Sequence, residues 1–224
     1  MALKLSYFDI RGLAEPVRLL LVDKQVAFED HRIARDQWAE IKPKMVNPSK
    51  EFELKKLKNF QIFGQVPCLL SGDEELVQSG AILRHLGRVH GLNGNNETET
   101  TFIDMFYEGI RDLHNKYAQM IYGNYENGKD AYIKDTLPGE LARLEKLFRT
   151  YKNGEHYVAG DKESYADYVL FEELDIHLIL SPTALDATPV LKKFHERFAE
   201  RPNIKAYLNK RAAINPPVNG NGKQ

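Results

Sequence analysis

The stretch GQVPCLLSGDEELVQSGAILRHLGRVHGL, Gly64 to Leu92, decides the fold. VPCLL is a short apolar run entered through a proline, and ELVQS is a second run shortly after it. Ser-Gly-Asp-Glu lies between them, and Gly and Asp are residues that close tight turns. The two runs therefore read as a hairpin of short strands. Ser79 then stands as an N-cap before GAILRHLGRVHGL, whose apolar residues recur at helical spacing. Toward the N-terminus, LKLSYFDI (3–10) alternates and is rich in aromatic and apolar residues, which predicts a strand. RGLAEPVRLLLVDKQ (11–25) puts Leu13, Val17, Leu20 and Leu21 on one helical face. Its Pro16 falls in the first turn, where a missing N–H is harmless. VAFEDHRI (26–33) reads as another strand. The order strand, helix, strand, variable segment, hairpin, helix makes a small α/β unit with a mixed sheet over residues 1–92.

Beyond Leu92 the character changes. NGNNETET (93–100) is polar and turn-rich and reads as a linker. Residues 101–128 and 132–154 carry apolar positions at three- and four-residue spacing, and Pro138 is expected to kink or restart the second helix. In GDKESYADYVLFEELDIHLILSP (160–182), Ser164 with Asp167 resembles a capping box in which Asp replaces Glu or Gln. Two short helices are predicted near 188–200 and 203–213, and the tail NPPVNGNGKQ has no periodicity. The fold class is thus α/β plus all-α, with a helical domain over 93–224; a single mixed domain is the plainer alternative.

With 224 residues, 42% of them hydrophobic and 28% charged, the composition is that of a globular protein able to bury a real core. A net charge of −1 leaves no footprint for nucleic acid or an anionic membrane. The single cysteine, Cys68, rules out a disulfide framework within the chain and points to a reducing compartment. No apolar run approaches the roughly 18 residues that span a membrane, and MALKLSYFDIRG lacks the pattern of a secretory leader. A cytoplasmic location is the expectation.

YFDIRGLAEPVR, GQVPCL, VQSGAILRHLGR, GDKESYADY and the ending NGNGKQ, in this order, resemble a cytosolic glutathione S-transferase. The tail and QSGAILRHLGR are most similar to the Pi class, whereas RGLAEP is also common in the Sigma class. The likeness covers nearly the whole chain except residues 46–61. It implies a thioredoxin-like first domain, a helical-bundle second domain, a homodimer, and a detoxifying transferase. Such an enzyme takes glutathione as co-substrate and needs no other cofactor and no metal. It also implies a cis Val66–Pro67 bond, which turns the backbone of Val66 toward the cysteinyl part of the peptide. On the residues alone, a trans proline at a strand start is the ordinary reading.

The chemistry expected of such a protein is definite. A thiol near pKa 8.5 is only a few per cent ionised at neutral pH, and the thiolate is the nucleophile. A neutral hydroxyl that donates to the sulfur lowers that pKa without adding a counter-charge. By resemblance Tyr7 is this hydroxyl; by itself it is a half-buried strand tyrosine. The resemblance places Gln78 and Ser79, at a helix N-terminus suited to an anion, on the γ-glutamyl carboxylate. It places Trp38, Lys44 and Gln65 on the glycyl carboxylate, and Asp112 of the partner subunit on the ammonium. Phe8, Ile10 and Tyr122 match the apolar wall of the second-substrate site, and Phe63 matches the aromatic key that enters the partner subunit. Leu13 departs from the Pi pattern, which has an arginine there, so a charge at the γ-glutamyl end is missing. A thiol–disulfide oxidoreductase would need Cys-x-x-Cys or a cysteine at position 7, and the chain has neither. A non-catalytic carrier on the same scaffold is the other alternative.

Removing residues 46–61, VNPSKEFELKKLKNFQ, restores the expected spacing between Lys44 and Gln65. Two readings of this insertion stand. Asn47 can cap and Pro48 open a short helix, although Phe52, Leu54, Leu57 and Phe60 form no clean stripe. Alternatively, Val-Asn and Asn-Phe-Gln permit codons resembling a splice donor and acceptor, so a short retained intron read in frame gives the same residues. Either way the segment is expected at the surface, between residues with assigned roles.

Overall fold

The structure of the protein, a computed structural model, describes residues 3–46, 63–72 and 74–224, with the side chains of residues 44–46 outside the described set. The insertion at 46–61, apart from the backbone of Val46, lies outside the described residues. The first layer is a four-stranded sheet in the order β2-β1-β3-β4, with β1 (Leu3–Phe8), β2 (Phe28–Ile33), β3 (Cys68–Ser71) and β4 (Glu74–Val77). β1 and β2 are parallel, with Leu5 opposite Asp30 and Tyr7 opposite Arg32. A parallel pair needs a crossover, and α1 (Glu15–Asp23) provides it, entered through a 3₁₀ turn at Gly12–Ala14. β3 runs antiparallel to β1, with Leu5 opposite Leu69, and antiparallel to β4, with Cys68 opposite Val77. The Val66–Pro67 peptide is cis, and the chain enters β3 immediately after it. α3 (Ser79–Val89) packs its Ile82, Leu83 and Leu86 inward, as the pattern predicts.

The helix α2 (Arg35–Val46) corrects the reading of a merely variable segment. Its sequence, RDQWAEIKPKMV, has a proline inside and no apolar stripe. What holds it is tertiary: the Trp38 ring meets Phe8 edge-on at 5.1 Å and packs on Cys68 and Val77 at the outer face of the sheet.

The helical layer comprises α4 (Glu97–Gly123), α5 (Tyr125–Ala131), α6 (Leu137–Phe148), α7 (Tyr165–Leu180), α8 (Pro189–Ala199) and α9 (Pro202–Ile214). α4 begins inside the expected linker, because the Asn96 side chain accepts from the Glu99 N–H at 3.0 Å and caps it. A π-helical turn at Tyr132–Thr136 separates α5 from α6, and Pro138 sits in the first turn of α6, so the proline restarts the helix. α7 is the central helix and opens on the predicted box: the Ser164 N–H and hydroxyl both donate to Asp167, each at 2.7 Å. One contiguous apolar core runs from Leu5 and Leu19 in the first layer to Phe106, Phe171 and Phe194 in the second.

Candidate functional site

Tyr7 is the penultimate residue of β1 and is 6% exposed. The chain turns back beneath it at Gly12, whose φ is +45°. A Cβ there would stand 2.7 Å from Tyr7 Oη and 2.8 Å from Cε1, so only glycine lets the turn lie against the ring. The Leu13 N–H donates to Tyr7 Oη at 3.2 Å. The tyrosine's own proton has no acceptor among the described residues. Burial raises the Tyr7 pKa above its usual 10, against the lowering effect of the Leu13 N–H, so the group is a neutral O–H donor throughout the neutral range.

Two cavities lie in this region, and Tyr7 lines the second of them. One, about 360 Å³, lies on the first layer and is lined by Phe8, Leu13, Trp38, Lys42, Gly64, Gln65, Val66, Pro67, Gln78, Ser79 and Arg111. Gln78 sits at φ +70° and its side-chain amide donates to Gln65 Oε1 at 3.2 Å, which draws the two glutamines together at the rim. Ser79 starts α3, so the unpaired N–H groups of the first turn open here, a ready anion site. Gly80 lets Tyr107 close on this turn, since a Cβ would meet its hydroxyl at 2.6 Å.

The second cavity, about 290 Å³, lies between the layers. Tyr7, Gly12, Leu13 and Pro16 form one wall, and Ala118, Tyr122, Val169, Ile176 and Val218 supply much of the other. Leu13, Ser79 and Arg111 line both cavities and mark where they join.

The placement of the sequence-derived residues follows from this. Tyr7, Trp38, Gln65, Val66, Gln78 and Ser79 converge on the two cavities. Phe8 belongs to the first cavity, beside Trp38, instead of the apolar second one. Ile10 lines neither; it lies by Gly12 and Gly220. Tyr122 lines the second cavity, is 58% exposed, and its hydroxyl accepts from the Gly220 N–H at 3.0 Å. Lys44 lies on α2 with its side chain outside the described residues, and Lys42 reaches the first cavity. Asp112 lines a surface depression with Lys116 and Glu140, away from its own chain's cavities. Phe63 is 53% exposed.

Sequence reading missed Gly12, Lys42 and Arg111. Arg111 is the most consequential. It stands where the cavities meet, and no hydrogen bond or ion pair holds its guanidinium among the described residues. Nothing local marks it, since an arginine on a polar helix face is ordinary. Cys68 is buried, and burial with the Glu75 carboxylate pushes its thiol up to about 12, so it remains a thiol. Among the described residues no cluster of His, Cys, Asp or Glu is arranged to hold a metal ion, and no helix is long and apolar enough to cross a membrane.

Residues 3–88 match the glutathione S-transferase N-terminal domain and residues 111–211 the C-terminal domain. The chain is 78% identical to glutathione S-transferase P of Caenorhabditis elegans over 224 residues, all of both chains. It is 39% identical to glutathione S-transferase P of Homo sapiens, covering 97% of each. The solved Pi-class glutathione S-transferase of Onchocerca volvulus superposes over the full length of both chains with a TM-score of 0.91 at 57% identity. With a thioredoxin-like sheet, a helical second layer and these matches along its length, the chain belongs to the glutathione S-transferase family and is similar to its Pi class.

Proposed function

We propose that the protein conjugates glutathione to apolar electrophiles, with Tyr7 activating the thiol. The observation that carries this is the neutral Tyr7 hydroxyl, its proton uncommitted, on the wall of the cavity between the layers, which joins the first cavity at Leu13, Ser79 and Arg111. Glutathione occupies the first cavity. Its γ-glutamyl carboxylate meets the first turn of α3 with Gln78 and Ser79. Arg111 supplies the cation that position 13, a leucine, lacks. The glycyl carboxylate meets Trp38, Gln65, Lys42 and Lys44. The cysteinyl sulfur then lies by Tyr7, whose O–H donates to it and favours the thiolate.

The thiol proton leaves to solvent and the sulfur lone pair forms the S–C bond. The displaced electron pair leaves with the leaving group, or moves onto the conjugated acceptor, which then takes a proton. Tyr122 at the outer end of the second cavity is placed to donate to that developing charge. Exposed Phe63 and outward-facing Asp112 support a two-fold dimer in which Asp112 of the partner subunit neutralises the glutathione ammonium.

The test is Tyr7→Phe. A charge-assisted hydrogen bond is worth about 1.5–3 kcal/mol, so the pKa of bound thiol should rise by roughly one to two units. Ultraviolet titration of thiolate in the enzyme–glutathione complex reads this directly. An unchanged thiol pKa in the variant removes Tyr7 from the mechanism. A non-catalytic carrier predicts no turnover in the wild type with any soft electrophile.

A further inference from the structure

Helix α4 turns one face to the second cavity, carrying Arg111, His114, Ala118 and Tyr122 at three- and four-residue spacing. His114 takes no part in activating the thiol. Its Nδ1 donates to Glu173 Oε2 on α7 at 2.8 Å. Glu173 is 3% exposed, and among the described residues no other side chain donates to its carboxylate. The pair fixes the imidazole with Nδ1 turned into the protein. The other nitrogen, Nε2, has no hydrogen bond among the described residues, where the buried side-chain atoms lacking one are Arg18 Nη2 and Glu173 Oε1. His114 Nε2 is not one of these, so it is accessible, on a side chain that is 20% exposed and lines the cavity.

The other polar groups of this cavity are committed or exchange no proton near neutral pH. Both Glu172 oxygens accept from Arg11, at 2.9 and 2.8 Å, and Arg211 adds a bond at 3.2 Å. Asn219 donates to the Tyr117 hydroxyl and the Lys223 carbonyl. Arg111 keeps its protons at every working pH, and Asn115, Asn219 and Ser79 do not titrate there. Burial holds Tyr107 as a neutral phenol. Tyr7 serves the sulfur. Tyr122 stands eight residues from His114, about 12 Å along the helix axis, at the outer end. Imidazole is the side chain whose ordinary titration falls near neutral pH.

Addition and substitution ask different things of this wall. When the thiolate adds to an α,β-unsaturated ketone, its lone pair makes the S–C bond at the β-carbon. The C=C pair moves to the α-carbon and carbonyl oxygen, and that enolate must take a proton. When the thiolate displaces chloride from an aromatic ring, the pair leaves with the chloride and no proton is needed. The sulfur lies at the Tyr7 wall, and the enolate charge develops a few bonds farther on, within the cavity. We propose that His114, oriented by Glu173, is the proton donor to enolates formed by conjugate addition at the inner end of the second cavity. This rests on the transferase reading above. The imidazolium Nε2–H gives its proton to the enolate, and the neutral ring regains one from solvent, which has received the proton of the glutathione thiol.

The test compares kcat for trans-4-phenyl-3-buten-2-one, an addition, with kcat for 1-chloro-2,4-dinitrobenzene, a substitution, on the full chain. A positioned proton donor is worth about 10²–10⁴-fold; with water as a substitute donor, the addition-to-substitution ratio should still fall at least tenfold in His114→Gln. General damage lowers both rates and leaves the ratio alone. The charged and titratable groups around the ring are Glu172, Glu173 and His177 on α7 and Arg111 on α4, with the Tyr117 ring at 5.9 Å and Tyr132 bonded to His177. In the wild type the ratio should fall as pH rises, because the donor is the protonated ring, and in His114→Gln it should not. Glu173→Gln keeps an acceptor for Nδ1 but removes the charge that favours the imidazolium, so the fall should move to lower pH. An unchanged ratio in His114→Gln, a loss confined to KM for the ketone, or a wild-type ratio independent of pH overturns the donor. So does a ratio that falls in Tyr122→Phe and not in His114→Gln. A wild type that conjugates neither acceptor overturns the transferase reading as well; one that conjugates both, with no change of ratio in the variants, counts against His114 alone.

Discussion

Replacing Gly12 with alanine tests how the tyrosine is positioned. The backbone at Gly12 is left-handed, at φ +45°, where a residue with a Cβ pays about 1–2 kcal/mol. That sets the expected loss of stability. The functional effect should be larger in proportion. The new methyl lies 2.7 Å from Tyr7 Oη, against ordinary contact from 3.4 Å, so the ring or the turn must yield by roughly 0.7 Å. Productive geometry tolerates about 0.5 Å. The donor to sulfur is therefore lost or bent, and conjugation at neutral pH should fall about ten- to a hundredfold, with the pKa of bound thiol raised by one to two units. The decisive assay is a double-mutant cycle with Tyr7→Phe. If Gly12 acts through the tyrosine, the double variant should be no slower than Tyr7→Phe alone. Additive losses, or a Gly12→Ala variant with normal thiol pKa, would refute the reasoning.

Three further outcomes follow from the geometry. Arg111→Ala should weaken glutathione binding about tenfold and flatten its salt dependence, while Leu13→Arg in that background should recover part of the loss; unchanged affinity would exclude Arg111 from the γ-glutamyl end. Phe63→Ser should lower dimer affinity in sedimentation together with activity, and an active monomer would sink the composite site. Deleting residues 46–61 should tighten glutathione binding, because Lys44 and Gln65 then return to their expected spacing; a large drop in melting temperature on deletion would instead make the segment integral to the fold.

Much of this was legible in the sequence because its causes are local. The strand at Tyr7, the hairpin after Pro67 and the Ser164–Asp167 box each need only neighbouring residues, and the structure has them as read, whereas Ser79 is the first residue of α3 and not its N-cap, a place that Gln78 takes without a side-chain capping bond. α2 was not legible, because its stability comes from Trp38 packing on Phe8 and on Cys68 and Val77, residues brought close only by the sheet. The start of α4 was misjudged because Asn and Glu serve linkers and N-caps alike. Arg111 is invisible for a related reason. Its meaning depends on lying beside Leu13 and Ser79, which three separate elements bring together.

The loop that seats Tyr7 is built by both layers. Within the first layer, the Asp9 N–H donates to the Ile33 carbonyl at 3.1 Å, and Arg18 reaches the carbonyls of Ile10 and Arg11 at 2.9 and 3.3 Å. The remaining ties come from the far end of the chain. The Arg11 N–H donates to the Pro217 carbonyl at 2.9 Å, the Gly12 N–H to Val218 at 3.1 Å, and the Arg11 guanidinium to Glu172 and Asp175 on α7. The tail is itself fastened, with Asn219 donating to the Tyr117 hydroxyl at 2.7 Å and Asn221 to the Ile121 carbonyl at 2.8 Å. Glycine adopts the left-handed backbone at position 12 without strain, and these ties from both layers select that one conformation from the many open to it. The ion pairs on Arg11 are costly to bury and contribute little net stability as a class, so their effect is better sought in geometry than in melting temperature. The helical layer thus does more than wall the second cavity: through Arg11 and the C-terminal tail it fixes the turn against which the Tyr7 hydroxyl is aimed.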